Sequence, residues 1–147
     1  MFSSLNISAS ALSASRLRMD VISSNMANAE TTRGELVDGE WVPYRRKSVV
    51  LQEQGSSFSS VFQSALNGQA TGSGVKVSEI VEDESPFNLV YDPEHPDANE
   101  DGYVQMPNVD PLREMIDLLS TTRTYEANVT VLNASKSMLL KTLEIGK

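Results

Sequence analysis

The sequence has no cysteine, which excludes disulfides, thiolate zinc sites and cysteine nucleophiles. It has one histidine, His95, so multi-histidine metal centres are excluded and a single imidazole is left for base chemistry. No apolar run approaches the roughly 20 residues that a membrane-spanning helix needs. No glycine-rich phosphate loop is present. The opening stretch MFSSLNISASALSASRLRMD lacks a basic segment followed by an apolar core, so the sequence predicts no cleavable secretory leader. The expected location is the cytosol, or a compartment reached by an export route that reads no such signal. Hydrophobic residues make up 39% and aromatics 6% of 147 residues. That composition allows one or two compact units with a modest core.

The net charge is -8, and it is unevenly placed. Residues 30–110 carry fifteen acids and five bases, while the two flanks together are slightly basic. An acidic middle argues against nucleic acid as a partner, because phosphate binding needs clustered cations.

The stretch from Asp110 to Lys147 predicts one long helix. Leu118, Tyr125, Leu132 and Leu139 recur every seven residues. Met115, Thr122, Val129, Lys136 and Leu143 form a second series three residues earlier. Together they describe a coiled-coil-like seam, weakened at Thr122 and Lys136. Pro111 suits the first helical position and Asp110 suits the cap. At about 1.5 Å per residue such a helix runs roughly 50 Å, longer than a small domain is wide.

The N-terminal segment predicts a second helix, from about Ser8 to about Asn28. Leu5, Leu12, Met19 and Met26 are spaced by seven, with Ile22 on the same side. Ala9, Ala11, Ser13, Ala14 and Ser15 keep its first half slim, open to close approach by another helix. Asn25, Asn28, Thr31 and Thr32 predict its end. Asn tolerates left-handed backbone geometry, and Asn and Thr side chains satisfy free helix carbonyls or start a turn.

Between the helices the patterning is that of short strands. Gly34 and Asp38-Gly39 mark a loop. Trp41 to Leu51 predicts one strand, at an edge or starting late because of Pro43, with Arg45, Arg46 and Lys47 on a solvated face or against an acidic neighbour. Phe58, Val61, Phe62 and Leu66 suggest a short amphipathic helix, and Gly68 to Gly74 a mobile loop. Val75 to Ile80, Phe87 to Tyr91 and Tyr103 to Met106 predict strands of one modest antiparallel sheet.

Two stretches invite a chemical reading. Asp97 to Gly102 matches the opening of a calcium loop, but the position for its closing Glu is Asn108 and the flanks are proline-rich, so a solvated turn is expected. His95 lies near Asp92 and Asp97 without a placed nucleophile, so hydrolase chemistry at His95 is the weaker alternative.

Ser8 to Arg33 resembles the N-terminal signature of bacterial flagellar rod and hook proteins, through Ser23, Asn25, Ala27, Asn28, Thr31 and Thr32. Arg123 to Gly146 resembles their C-terminal signature, through Tyr125, Glu126, Ala127, Asn128 and Lys136. In the middle, Gly74 to Val81, Val90 to Pro93, His95 to Ala98, Gly102 to Val104 and Pro107 to Val109 resemble the proximal rod members, whose length also fits. The resemblance implies a non-enzymatic subunit of the flagellar rod, with no cofactor, metal, nucleic acid or small-molecule substrate. It implies type III export without a cleaved signal. The implied partners are copies of the chain, other rod proteins, and adjacent adaptor and export-gate components.

The expected fold is α+β: two long terminal helices in an antiparallel coiled-coil-like pair, with a small β-rich insert between them. The expected division is 1–33, 34–107 and 108–147, the first and last forming one rod core domain. The expected contact residues between subunits are Leu5, Leu12, Met19, Ile22, Asn25, Met26 and Asn28 on the first helix. On the second they are Met115, Leu118, Tyr125, Val129, Leu132, Leu139 and Leu143. The alternative from another class is a cytosolic helical adaptor or chaperone.

Overall fold

The computed structural model describes residues 2–54, 62 and 74–145. The expected amphipathic helix at Phe58 to Leu66 and the loop from Gly68 lie almost wholly outside them. The fold is α+β, in the order α1 (Phe2–Ala27), β1 (Glu35–Val37), β2 (Glu40–Val42), β3 (Lys47–Glu53), β4 (Val75–Glu82), β5 (Asn88–Tyr91), β6 (Tyr103–Met106) and α2 (Pro111–Ile145).

α1 begins about a turn and a half earlier than its periodicity suggests, because nothing from Phe2 to Ala27 is a glycine or proline that would stop it. Its end is built by Asn28. The Asn28 backbone N–H and side-chain Nδ2 both donate to the Ser24 carbonyl, at 3.1 and 2.9 Å. The Thr31 hydroxyl donates to Asn28 Oδ1 at 3.2 Å. No left-handed Asn is needed: among the described residues Asp38 is the sole non-glycine with positive φ.

α2 starts as its sequence requires. Asp110 Oδ1 accepts from the Leu112 and Arg113 N–H groups at 3.0 and 3.4 Å, and Pro111 occupies the first turn, where its missing N–H removes nothing. The hydroxyls of Thr124, Thr130 and Thr142 return to carbonyls one turn back, which lets these residues sit within a long helix.

The β segments form three separate two-stranded ribbons, not the single sheet expected. β1 and β2 make a tight hairpin in which Val37 faces Glu40. Asp38 (φ 51°) and Gly39 (φ 92°) supply the two positive-φ residues of a primed turn. The predicted strand from Trp41 to Leu51 is broken between β2 and β3. Pro43 has no N–H to give, and the neighbouring amides bond elsewhere: Tyr44 N to the Thr31 carbonyl at 3.1 Å and Arg46 N to Asn108 Oδ1 at 2.8 Å. A Cβ on Gly34 would lie 2.7 Å from Tyr44 N, so glycine is what permits that chain crossing. β3 pairs with β4, and β5 with β6 antiparallel, Tyr91 opposite Tyr103.

The chain divides into two compact units, each drawn from both ends of the sequence. Unit one contains described residues of 1–18, 49–79 and 120–147, and unit two those of 19–48 and 80–119. In unit one the buried positions are small or polar: Ser8, Ala14, Thr121 and Ser135. What approaches the slim face of α1 there is the start of β4. Val75 N donates to Ser10 Oγ at 3.0 Å, and a Cβ on Gly74 would meet that oxygen at 2.6 Å. In unit two Ile22, Val104, Pro107 and Val109 are buried together with Asn25 and Glu114.

Candidate functional site

Unit two is closed by a polar knot. Asn25, near the end of α1, and Glu114, in the first turn of α2, are both fully buried. Asn25 Nδ2 donates to Glu114 Oε2 at 3.0 Å and to the Lys47 carbonyl at 2.8 Å. Asn25 Oδ1 accepts from the Tyr44 hydroxyl at 3.0 Å and from Lys47 N at 2.9 Å. All four hydrogen-bonding positions of one side chain are thereby used. Glu114 Oε1 takes the Arg46 Nε–H at 2.6 Å, and Arg46 also lies 3.8 Å from Asp83 and 3.7 Å from Asp117.

The basic triplet therefore meets acidic neighbours instead of lining a solvated strand. Lys47 adds an ion pair with Glu82 at 3.6 Å, and Arg45 stacks on the Phe87 ring at 4.5 Å. Asn108 fastens the far side of the knot, donating to the Asp83 and Ser85 carbonyls at 2.9 and 3.2 Å. The Ser85 hydroxyl and backbone N–H, donating to Asp83, hold that carboxyl below the usual range. Among the described residues no buried side-chain nitrogen or oxygen lacks a partner, so the knot is a fully satisfied network.

A second tie joins the turn after α1 to the 92–102 loop. The Thr32 hydroxyl donates to Asp97 Oδ2 at 2.7 Å, and Arg33 gives Nε and Nη2 to Oδ1 at 2.8 and 2.6 Å. Arg33 first, then Thr32, keeps the Asp97 carboxyl below its ordinary value, and the same contact raises the Arg33 guanidinium. Asp97 is thus a structural acceptor. His95 Nδ1 accepts the Asp97 backbone N–H at 3.1 Å, which makes the imidazole part of the loop.

The seam residues divide. On α1, Leu5, Leu12, Met19 and Met26 are half-buried, as is Asn28 just past its end, while Ile22 and Asn25 are buried. On α2, Leu118, Tyr125, Leu132 and Leu139 are half-buried. The series that alternates with them on the covered side is Glu114, Thr121, Asn128 and Ser135, buried or half-buried. Of the apolar series three residues earlier, Val129 is half-buried but Met115 and Leu143 are 56% and 69% exposed. Leu112, Ile116, Leu119, Val131, Met138 and Leu140 are exposed as well. Leu112, Met115, Ile116 and Leu119, at helical spacing, form an exposed apolar stripe on the first turns of α2.

Periodicity alone misses Glu114, Arg46, Tyr44, Asn108 and the Arg33–Asp97 tie. One signal was available: Glu114 stands four residues before Leu118, the register of a covered position, and the Arg45–Lys47 triplet offers its counter-charge.

The ends that meet at the knot are also the parts that match known families. Residues 5–33 match the family described as flagella basal body rod protein, and residues 100–145 the C-terminal region of flagellar basal body rod FlgEFG proteins. The flagellar basal-body rod protein FlgC of Bacillus subtilis (strain 168) is 67% identical over 147 residues, covering 99% of this chain and 98% of that protein. The chain belongs to the FlgC family of flagellar basal-body rod proteins. FlgC of Salmonella typhimurium (strain LT2) is 46% identical over 97% of this chain and 95% of its own length. FlgC of Borreliella burgdorferi (strain B31) is 42% identical over 99% and 97%. As a member of this family the chain is a structural rod subunit of the flagellar basal body. Among the described residues no helix is long and apolar enough to cross a membrane.

Proposed function

We propose that the chain is a load-bearing segment of the proximal rod, stacking helically with copies of itself and other rod proteins to transmit torque and enclose the export channel. The observation that carries this reading is the exposed apolar surface of α2, from Leu112 to Leu143, which has apolar area to bury and no partner within the described chain. In a helical array each subunit offers one surface and receives another, so contacts repeat along an open axis without closing on themselves. α1 and α2 pair as an antiparallel coiled-coil-like unit, and the seam residues from Leu5 to Asn28 and from Met115 to Leu143 meet neighbouring subunits. The chain leaves the cell by the flagellar export route without a cleaved leader. It docks at its inner end on adaptor and export-gate components, and it performs no catalysis. The Asn25–Glu114 knot serves this role by fastening the end of α1 to the first turn of α2 within unit two.

The test is Met115→Asp and Leu143→Asp, singly and together. Both side chains are exposed, so the soluble chain should fold normally. Motility and the amount of chain in isolated basal bodies should both fall, with secretion retained. A motile double variant with normal rods would overturn the reading.

A further inference from the structure

A second exposed surface lies on unit two, on the β5–β6 ribbon. In the β5–β6 ribbon, Leu89 faces Gln105 and Tyr91 faces Tyr103, so these four share one face. It is the opposite face from Val104, which is buried. Leu89 and Tyr91 are each 65% exposed and Tyr103 45%, so this ribbon carries large apolar side chains on its solvent face as well as on the face of Val104. The tyrosine rings are held in place. They meet edge to face, with centroids 5.3 Å apart and planes at 66°. The Tyr91 ring lies over Gly102, where a Cβ would stand 3.0 Å from its Cε2 and the backbone has φ +80°. The segment that joins the two strands, running from Tyr91 to Tyr103, carries exposed acids: Glu94, Glu100 and Asp101.

An exposed aromatic pair whose connecting segment is acidic suits a guanidinium, which stacks on a ring and pairs with carboxylates. The chain itself supplies such groups. By formal charge unit two carries -11 and unit one +3. Unit one's arginines Arg16, Arg18 and Arg123 are exposed; among the described residues none of them has an ion pair. We propose that the Tyr91–Tyr103 platform receives an arginine from a terminal helix of a second copy of this chain. This rests on the helical-assembly reading. It adds a heterologous, charge-complementary contact to the apolar one on α2.

The absence of cysteine makes the test clean. Leu89→Cys, at the platform edge, is combined in turn with Arg16→Cys, Arg18→Cys and Arg123→Cys, and isolated basal bodies are oxidised. One combination should give a dimer-sized band of this chain that reduction removes, while Leu89→Cys with Lys76→Cys should not. Cross-linking to a different protein, or at none of the three arginine positions, overturns the proposal. A second measurement is the salt resistance of the rod. Tyr91→Phe keeps the ring and should leave the rod unchanged. Tyr91→Ala should weaken the contact about tenfold, so that rods fall apart at lower salt. Equal behaviour of the two variants also overturns it. Motility lost in Met115→Asp with no arginine cross-link would separate failure of this inference from failure of the assembly reading.

Discussion

Asn25 and Glu114 are 89 positions apart in the chain, yet their side chains are hydrogen-bonded at 3.0 Å with no exposure to solvent. This contact sets the end of one terminal helix against the start of the other. Its energetics are unforgiving, because each partner, if left alone, would be a buried polar group without a bond.

Glu114→Ala should therefore destabilise unit two by about 3–5 kcal/mol, since it removes the nearest and only fully buried carboxylate from Arg46, leaving the longer pairs with Asp83 and Asp117, and strands one Asn25 donor. Glu114→Gln keeps the shape and part of the bonding and should lose less. Urea unfolding of the purified variants checks the order, and equal stability of Glu114→Ala and the parent chain would show that the knot is dispensable.

Asn25→Asp places a second carboxylate against Glu114, where an amide now donates at 3.0 Å. Two carboxylates so close cannot both stay ionised, and one must take up a proton. The variant should be destabilised at neutral pH and recover on acidification, until acid begins to unfold the parent. A variant equally stable at both pH values would contradict this geometry.

Asp97 and Asp83 have carboxyls held below their ordinary value by Arg33 with Thr32 and by Ser85. For a depressed carboxyl, the stabilisation is present above the unfolded value, about 3.9 for Asp. It is lost as pH falls through the lower folded value. The turn at Thr31 to Arg33 should stay tied across the neutral range and loosen only in strong acid. Amide exchange of Thr32 and Arg33 followed against pH measures this, with Asp97→Asn expected to loosen the turn at every pH.

Leu132→Asp tests the seam in the middle of α2. Leu132 is half-buried, with Tyr125 and Leu139 one heptad away on either side. Losing the leucine contact takes about 2–5 kcal/mol by analogy with core truncations, and the carboxylate adds a desolvation penalty. Rod assembly and motility should fail while export continues. Asp117→Asn, outside the heptad series, is the comparison, although Asp117 lies 3.7 Å from Arg46. Its effect should still be small, below about 1 kcal/mol, because a half-exposed pair is well screened. Fractionation into cytoplasm, secreted pool and basal body distinguishes the two variants.

What the sequence determines by itself is local. Asp110 and Pro111 start α2, the absence of glycine and proline lets α1 run from Phe2, Asn28 closes its end, and Asp38-Gly39 turns the hairpin. Each depends on partners within a few residues, so residue type and spacing suffice. The terminal signatures likewise marked the family, and the heptad at Leu118, Tyr125, Leu132 and Leu139 marked a half-buried face. The tertiary structure decided which companions are covered most: Glu114, Thr121 and Ser135 are buried, Thr122, Asn128 and Val129 half-buried, and Met115 and Lys136 are left to solvent. It also divided the expected sheet into three ribbons, and broke the Trp41–Leu51 strand where the amides of Tyr44 and Arg46 found partners outside any strand. The reason is separation along the chain. Arg46 reaches Glu114 across 68 positions, and a sequence states which charges exist without stating which loops close to bring them together.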